Sequence, residues 1–209
     1  NRRAYREMLL TTANLSDHIS GAILYDETIR QSSRAGVPFT RIMLDNGILP
    51  GIKVDKGAMP LAGFPGEVVT EGLDGLRARL EEYARLGAKF AKWRAVIAIG
   101  EDMPSSTCID ANAHALARYA ALCQEAGIVP MVEPEVLMDG DHDIETCYDV
   151  TEATLRSLFN ALYEGMVSGS RTGGAVGIMA FILLTGGALG VVLATGSVAL
   201  VQRGTCGFN

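Results

Sequence analysis

Phe90-Ala91-Lys92-Trp93-Arg94 places two cations two residues apart at the end of a short apolar run, and two other segments repeat the arrangement. They are Gly51-Ile52-Lys53-Val54-Asp55 and Met131-Val132-Glu133-Pro134-Glu135. Residues two apart on a strand point the same way, so each pair projects from one face. From Lys53 to Lys92 is 39 residues and from Lys92 to Glu133 is 41, the length of a βα unit with its loops. Charge at the C-terminal ends of successive parallel strands is the layout of an active site on a (β/α)8 barrel. An unpaired buried charge is costly, so strands that carry six such groups need a use or a partner for each.

The segments between the pairs support the same reading. Gly21-Ala-Ile-Leu-Tyr25 reads as an earlier strand, bounded by Gly and by Asp26-Glu27. Strands are expected at about 48–54, 89–95 and 128–132. Leu73, Leu76, Leu80, Tyr83 and Leu86 recur at helical steps and stop at Gly87. A second helix is expected after Pro104, with Ser106 or Thr107 as N-cap and Ile109, Ala113, Leu116 and Ala120 on one face, ending at Gly127. A third is expected from about Thr151, with Leu155, Leu158, Phe159 and Leu162 inward. The Gly- and Pro-rich stretch 57–66 reads as a functional loop. Alternating β and α elements with near-continuous apolar strands imply a parallel sheet covered by helices. A doubly wound nucleotide-binding sheet would share the alternation, but its Gly-rich phosphate loop after the first strand is missing.

The totals exclude some functions. A net charge of −6 with no basic stripe argues against nucleic acid as a partner. The cysteines at 108, 123, 147 and 206 have no ligand spacing and read as thiols of a reducing compartment. His18, His114 and His142 are scattered, and Asp139-Gly-Asp-His-Asp143 reads as a solvated acidic turn rather than a metal loop.

Longer motifs carry a family resemblance. Asn1-Arg-Arg-Ala-Tyr-Arg6, Gly51-Ile-Lys-Val-Asp-Lys-Gly57, Pro60-Leu-Ala-Gly63, Glu71-Gly-Leu-Asp-Gly75, Ala91-Lys-Trp-Arg94, Leu116-Ala-Arg-Tyr-Ala120, Gly127-Ile-Val-Pro130, Val132-Glu-Pro-Glu135 and Asp139-Gly-Asp-His-Asp143 resemble class I fructose-bisphosphate aldolase. The resemblance runs from residue 1 to about Glu164. It implies a cytoplasmic, usually homotetrameric (β/α)8 barrel that uses neither metal nor cofactor. The activity implied is reversible cleavage of fructose 1,6-bisphosphate to dihydroxyacetone phosphate and glyceraldehyde 3-phosphate in glycolysis, through a lysine Schiff base. By motif match, Lys53 resembles the substrate- and phosphate-binding lysine and Asp55 the active-site aspartate beside it. Lys92 resembles the lysine that assists proton transfer, and Arg94 a phosphate-binding arginine. Glu133 resembles the general acid/base of Schiff-base formation, and Glu135 the carboxylate supporting the lysine network.

The chain departs from the family after Glu164. The Schiff-base lysine is expected in a Glu-Gly-Thr-(Leu/Ile)-Leu-Lys-Pro-like motif, where this sequence reads Glu164-Gly-Met-Val-Ser-Gly-Ser-Arg171, and no lysine follows Lys92. The expectation is a partial TIM (β/α)8 barrel over 1–166 with four of eight strands, both ends cut, and no turnover by the chain alone. Residues 167–209 are expected to be a non-homologous, Gly/Ala-rich apolar tail. Thr172–Gln202 holds 31 residues without charge, more than the roughly 20 a membrane helix needs. Its seven glycines weaken a helix. Two readings of the tail stand: an out-of-frame segment, which is favoured, and a membrane contact through 172–202. The second defines the rival function, a non-catalytic membrane-anchored scaffold that keeps a partial sugar-phosphate site.

Overall fold

The computed structural model describes residues 2–169 and, beyond them, the backbone of three short strands. Six α-helices fall within 2–169: α1 (Arg2–Leu10), α2 (Asp26–Ile29), α3 (Phe39–Asp45), α4 (Leu76–Arg85), α5 (Ser106–Glu125) and α6 (Ile144–Gly169). Strands β1 (Ile19–Leu24), β2 (Leu49–Lys53), β5 (Phe90–Ile97) and β6 (Val129–Val136) lie side by side in that order, all parallel. Strands β3 (Gly57–Pro60) and β4 (Val68–Glu71) form a separate antiparallel hairpin. Past residue 169, β7 (Met179–Ala180) runs parallel to β6, and β8 (Leu193–Thr195) pairs with β9 (Val198–Gln202), which lies antiparallel to β1. Strand backbones aside, the two readings of the 172–202 tail fall outside the described residues. Among the described residues no helix is long and apolar enough to cross a membrane.

The sheet has a helix-facing side and an inner side, and β5 shows how one sequence serves both. Ala91, Trp93 and Ala95 are fully buried and pack in the main core with Leu76, Leu80, Leu116 and Tyr119. The alternate residues Lys92 and Arg94 stand on the opposite face and are only partly covered. The alanines of α5 at 113, 117 and 120 let that helix lie close to the sheet. Tyr119 reaches through this layer, and its hydroxyl donates to the Ala91 carbonyl at 2.6 Å and to that of Met131 at 3.2 Å, tying β5 to β6.

On the inner face the Phe90 ring lies over two glycines of neighbouring strands. A Cβ added to Gly51 would stand 2.3 Å from Phe90 Cζ, and one on Gly21 would stand 2.9 Å from Cε1. These glycines give a strand ladder room for a ring laid across it.

Local structure differs from the sequence reading in several places, β6 for one running on past residue 132 to Val136. The stretch 57–66 opens as a strand, because β4 supplies a partner that its Gly/Pro content hid. Helix α6 begins at Ile144 rather than about Thr151, since Asp143 accepts the backbone N–H of Thr146 at 2.8 Å and acts as a cap. Phe159 is 49% exposed, whereas Leu158 and Leu162 are buried. The N-cap of α5 is Ser105, one residue before the expected position: its hydroxyl accepts from Cys108 N at 3.1 Å and donates to buried Glu67 at 2.6 Å. Ser105→Ala removes both bonds and is expected to cost about 1–2 kcal/mol in urea unfolding. An unchanged midpoint would show that the cap contributes nothing.

Candidate active site

The registers bring all six charged residues to one face of three adjacent strands. Lys53 stands opposite Lys92, and Arg94 stands opposite Glu133. Paired positions on parallel strands share a face, so Asp55 and Glu135, each two residues further on, join them. Lys53 meets Asp55, Lys92 meets Glu133 at 2.9 Å, and Arg94 meets Glu135. The six charges thus resolve into three ion pairs, two of them bridging β5 to β6.

Each pair is exposed to a different degree. The Asp55 side chain is 2% exposed and is held by the Gly57 backbone N–H at 3.1 Å as well as by Lys53. Lys92 and Glu133 are 14% and 7% exposed, while Arg94 keeps 42% of its side chain open. Burial pushes the Glu133 carboxyl above the ordinary range, and the Lys92 ammonium pulls the other way without overcoming it. Although the distance is that of an ion pair, Glu133 Oε2 has no hydrogen bond of acceptable angle. Lys92 therefore neutralises this carboxylate without saturating it. Glu135 raises the pKa of Arg94, which stays charged at every working pH.

Lys53 and Asp55 also line a cleft of ≈ 410 Å³, with Tyr25, Arg30, Lys56 and Arg79 around it. Its lining sets four cations against two carboxylates, Asp26 and Asp55, a positive balance that suits an anionic ligand. Arg79 turns its guanidinium toward the Val54 and Gly72 carbonyls and so braces the segment that follows β2. Gly72 holds φ +134°, and a Cβ there would meet Lys56 N at 3.0 Å. Among the described residues no group of three or more His, Cys, Asp or Glu is arranged to hold a metal ion. Cys108, Cys123 and Cys147 are free thiols.

The arrangement of three charged strand ends on a parallel sheet can be compared with known proteins. The family model described as fructose-bisphosphate aldolase class-I matches residues 1–170. The chain belongs to the class-I fructose-bisphosphate aldolases. Among curated relatives, a probable fructose-bisphosphate aldolase class 1 of Xanthomonas campestris pv. campestris is 82% identical over 164 residues, covering 78% of this chain and 49% of the relative. Cytosolic fructose-bisphosphate aldolase 5 of Arabidopsis thaliana is 53% identical over 164 residues, 78% of this chain and 46% of that protein. A ternary co-crystal structure of the Plasmodium falciparum aldolase, in complex with TRAP and a small molecule inhibitor, superposes with a TM-score of 0.76. It is 46% identical, over 78% of this chain and 48% of that one. The chain spans about half the length of the curated relatives it matches.

Behind the charged wall of this aldolase half-barrel lies a polar set that sequence reasoning missed. Thr70 Oγ1 donates to the Arg94 carbonyl at 2.8 Å, and Thr70 N donates to Asn112 Oδ1 at 3.1 Å. Asn112 Nδ2 in turn donates to Val68 O at 2.9 Å and Cys108 O at 3.0 Å. One signal was visible: Asn112 interrupts the inward stripe Ile109, Ala113 and Leu116 of α5 with an amide.

Proposed function

We propose that residues 1–166 form the sugar-phosphate half-site of a class-I aldolase, which binds fructose 1,6-bisphosphate and its ketose product without turning them over. The carrying observation is the 2.9 Å pair of Lys92 and Glu133 on a wall shared with Lys53, Asp55, Arg94 and Glu135. Lys53 and Arg94 bind phosphate, Lys53 as a point charge and Arg94 through its planar fork. Asp55 holds Lys53 in place. Glu133 is placed to offer a proton to the carbonyl oxygen of a bound ketose, because a carboxyl lifted by burial keeps its proton nearer to neutral pH. Lys92 pairs with Glu133, and Glu135 fixes Arg94.

Schiff-base chemistry requires an amine that is both deprotonated and free to attack. No lysine follows Lys92, and the two lysines of the wall are each engaged with a carboxylate. The engagement of Lys53 and Lys92 supports the reading of no turnover. The end of the family match at residue 170 supports a boundary near 166, with 167–209 as a separate segment. The cytosolic designation of the Arabidopsis relative supports a cytoplasmic site of action.

The test is to mix the chain with dihydroxyacetone phosphate, reduce with borohydride and map adducts by mass spectrometry, beside a full-length aldolase control. The expected result is saturable binding with no adduct on Lys53 or Lys92. An adduct on either lysine would overturn the no-turnover reading by showing imine chemistry in this chain. Failure to bind phosphorylated sugar at all would overturn the half-site itself.

A further inference from the structure

The strand that carries Lys92 and Arg94 loses its β2 neighbour part-way along. Val54 N still donates to the Lys92 carbonyl at 3.1 Å, and the ladder register between β2 and β5 runs no further than Lys53 and Lys92. At Arg94 side chains take over from backbone. Its N–H donates to Asp55 Oδ2 at 3.4 Å, and its carbonyl accepts from Thr70 Oγ1 at 2.8 Å. On the other edge Arg94 stands in register with Glu133 of β6.

Thr70 is not free to turn away from that carbonyl. It is 2% exposed and lies on β4, whose backbone is held by Asn112, itself 2% exposed. Asn112 fixes β4 from the α5 side through Thr70 N and Val68 O, and Glu67 accepts from the backbone N–H and hydroxyl of Ser105 at 2.6 Å each. A buried amide and hydroxyl bring a desolvation cost that a valine or leucine of similar size would not. Here every one of those hydrogen bonds converges on the orientation of β4, and the Thr70 hydroxyl passes it to Arg94.

We propose that Thr70 and Asn112 are positioning residues for the anion site: they clamp the Arg94 backbone where the β2 ladder ends and so aim its guanidinium at the bound phosphate. The inference rests on the reading of Arg94 as a phosphate-binding residue. Neither residue touches the ligand. Their effect is felt in how well Arg94 is directed, and only secondarily in whether the chain folds.

The experiment titrates the 209-residue chain with inorganic phosphate and with fructose 1,6-bisphosphate. Affinity and the Arg94 Nε–Hε resonance are followed by NMR, with thermal melts in parallel. Thr70→Val, which keeps the shape and removes the hydroxyl, is expected to weaken phosphate binding about fivefold and to shift the Arg94 resonance. Thr70→Ser, which restores the hydroxyl, is expected to bind as the unchanged chain does. Arg94→Met separates the phosphate contact from its positioning. If Arg94→Met weakens binding and Thr70→Val does not, the positioning inference is overturned while the phosphate reading stands. If Arg94→Met has no effect, both fall. Should Thr70→Val melt out, the unchanged chain still decides the matter: the Thr70 hydroxyl proton must exchange slowly with water, and rapid exchange overturns the clamp.

Discussion

Replacing Lys92 by Met is expected to cost about 3 kcal/mol of stability near pH 7, and far less near pH 4.5. Glu133 is 5% exposed and sits beside this one ammonium, with Arg94 and Glu135 further along the wall. Breaking a buried pair leaves an uncompensated charge, which is the expensive outcome. Burial already raises the Glu133 carboxyl, and Lys92 is the main influence opposing that rise. Without it the folded-state pKa climbs further. A carboxyl whose folded pKa exceeds its unfolded value binds more protons when folded, so stability falls as pH rises through that window. The penalty is therefore small below the ordinary glutamate value of 4.5 and complete above the raised one. Urea unfolding of both chains at the two pH values measures it, and equal losses would refute the assignment. Adding Glu133→Leu to Lys92→Met is expected to recover most of the loss, because the pair is then replaced rather than broken.

The second large effect is steric. Gly51→Ala puts a methyl group 2.3 Å from Phe90 Cζ and 2.4 Å from Cε2, distances no relaxed contact shows. Either the ring swings away or β2 shifts against β5. The expected cost is about 2 kcal/mol, in the range of overpacking. Because Phe90 precedes Lys92 by two residues on the same face, the displacement also loosens the floor below Lys53 and Lys92. Phe90→Leu in the same chain is expected to relieve much of the strain, and a double-mutant cycle reads the coupling directly. Additive losses would mean that ring and glycine do not oppose each other.

How far the sequence exposed this molecule depends on the kind of signal each part carries. The strands at 51–55, 90–94 and 131–135 were legible because period-two pairing of charge with buried Val132, Trp93 and Ile52 leaves one physical solution. That solution also brought the six charged residues to one face, as β5 and its neighbours show. Opposite charges at the ends of neighbouring strands also made an ion-pair network of Glu133 and Glu135 with Lys92 and Arg94 legible; which carboxylate meets which cation is set by the stagger of β5 against β6. The β3–β4 hairpin was hidden because Gly57, Gly63 and Gly66 punctuate it as a loop, and its partner strand is only four residues long. The start of α6 was missed for another reason. Asp143 was read with its acidic neighbours as a solvated turn, whereas one carboxylate of that turn caps a helix.

Trp93 is the single tryptophan of the chain, fully buried on the face of β5 opposite Lys92 and Arg94, with its ring centroid 5.5 Å from that of Tyr119. The molecule therefore contains one indole beside six tyrosines, and that indole lies at the joint between the charged wall and the helix layer. Emission excited selectively at the indole reports on that joint alone. Opening of the joint wets the ring and moves its emission to the red, so one optical signal distinguishes a seated helix from a detached one.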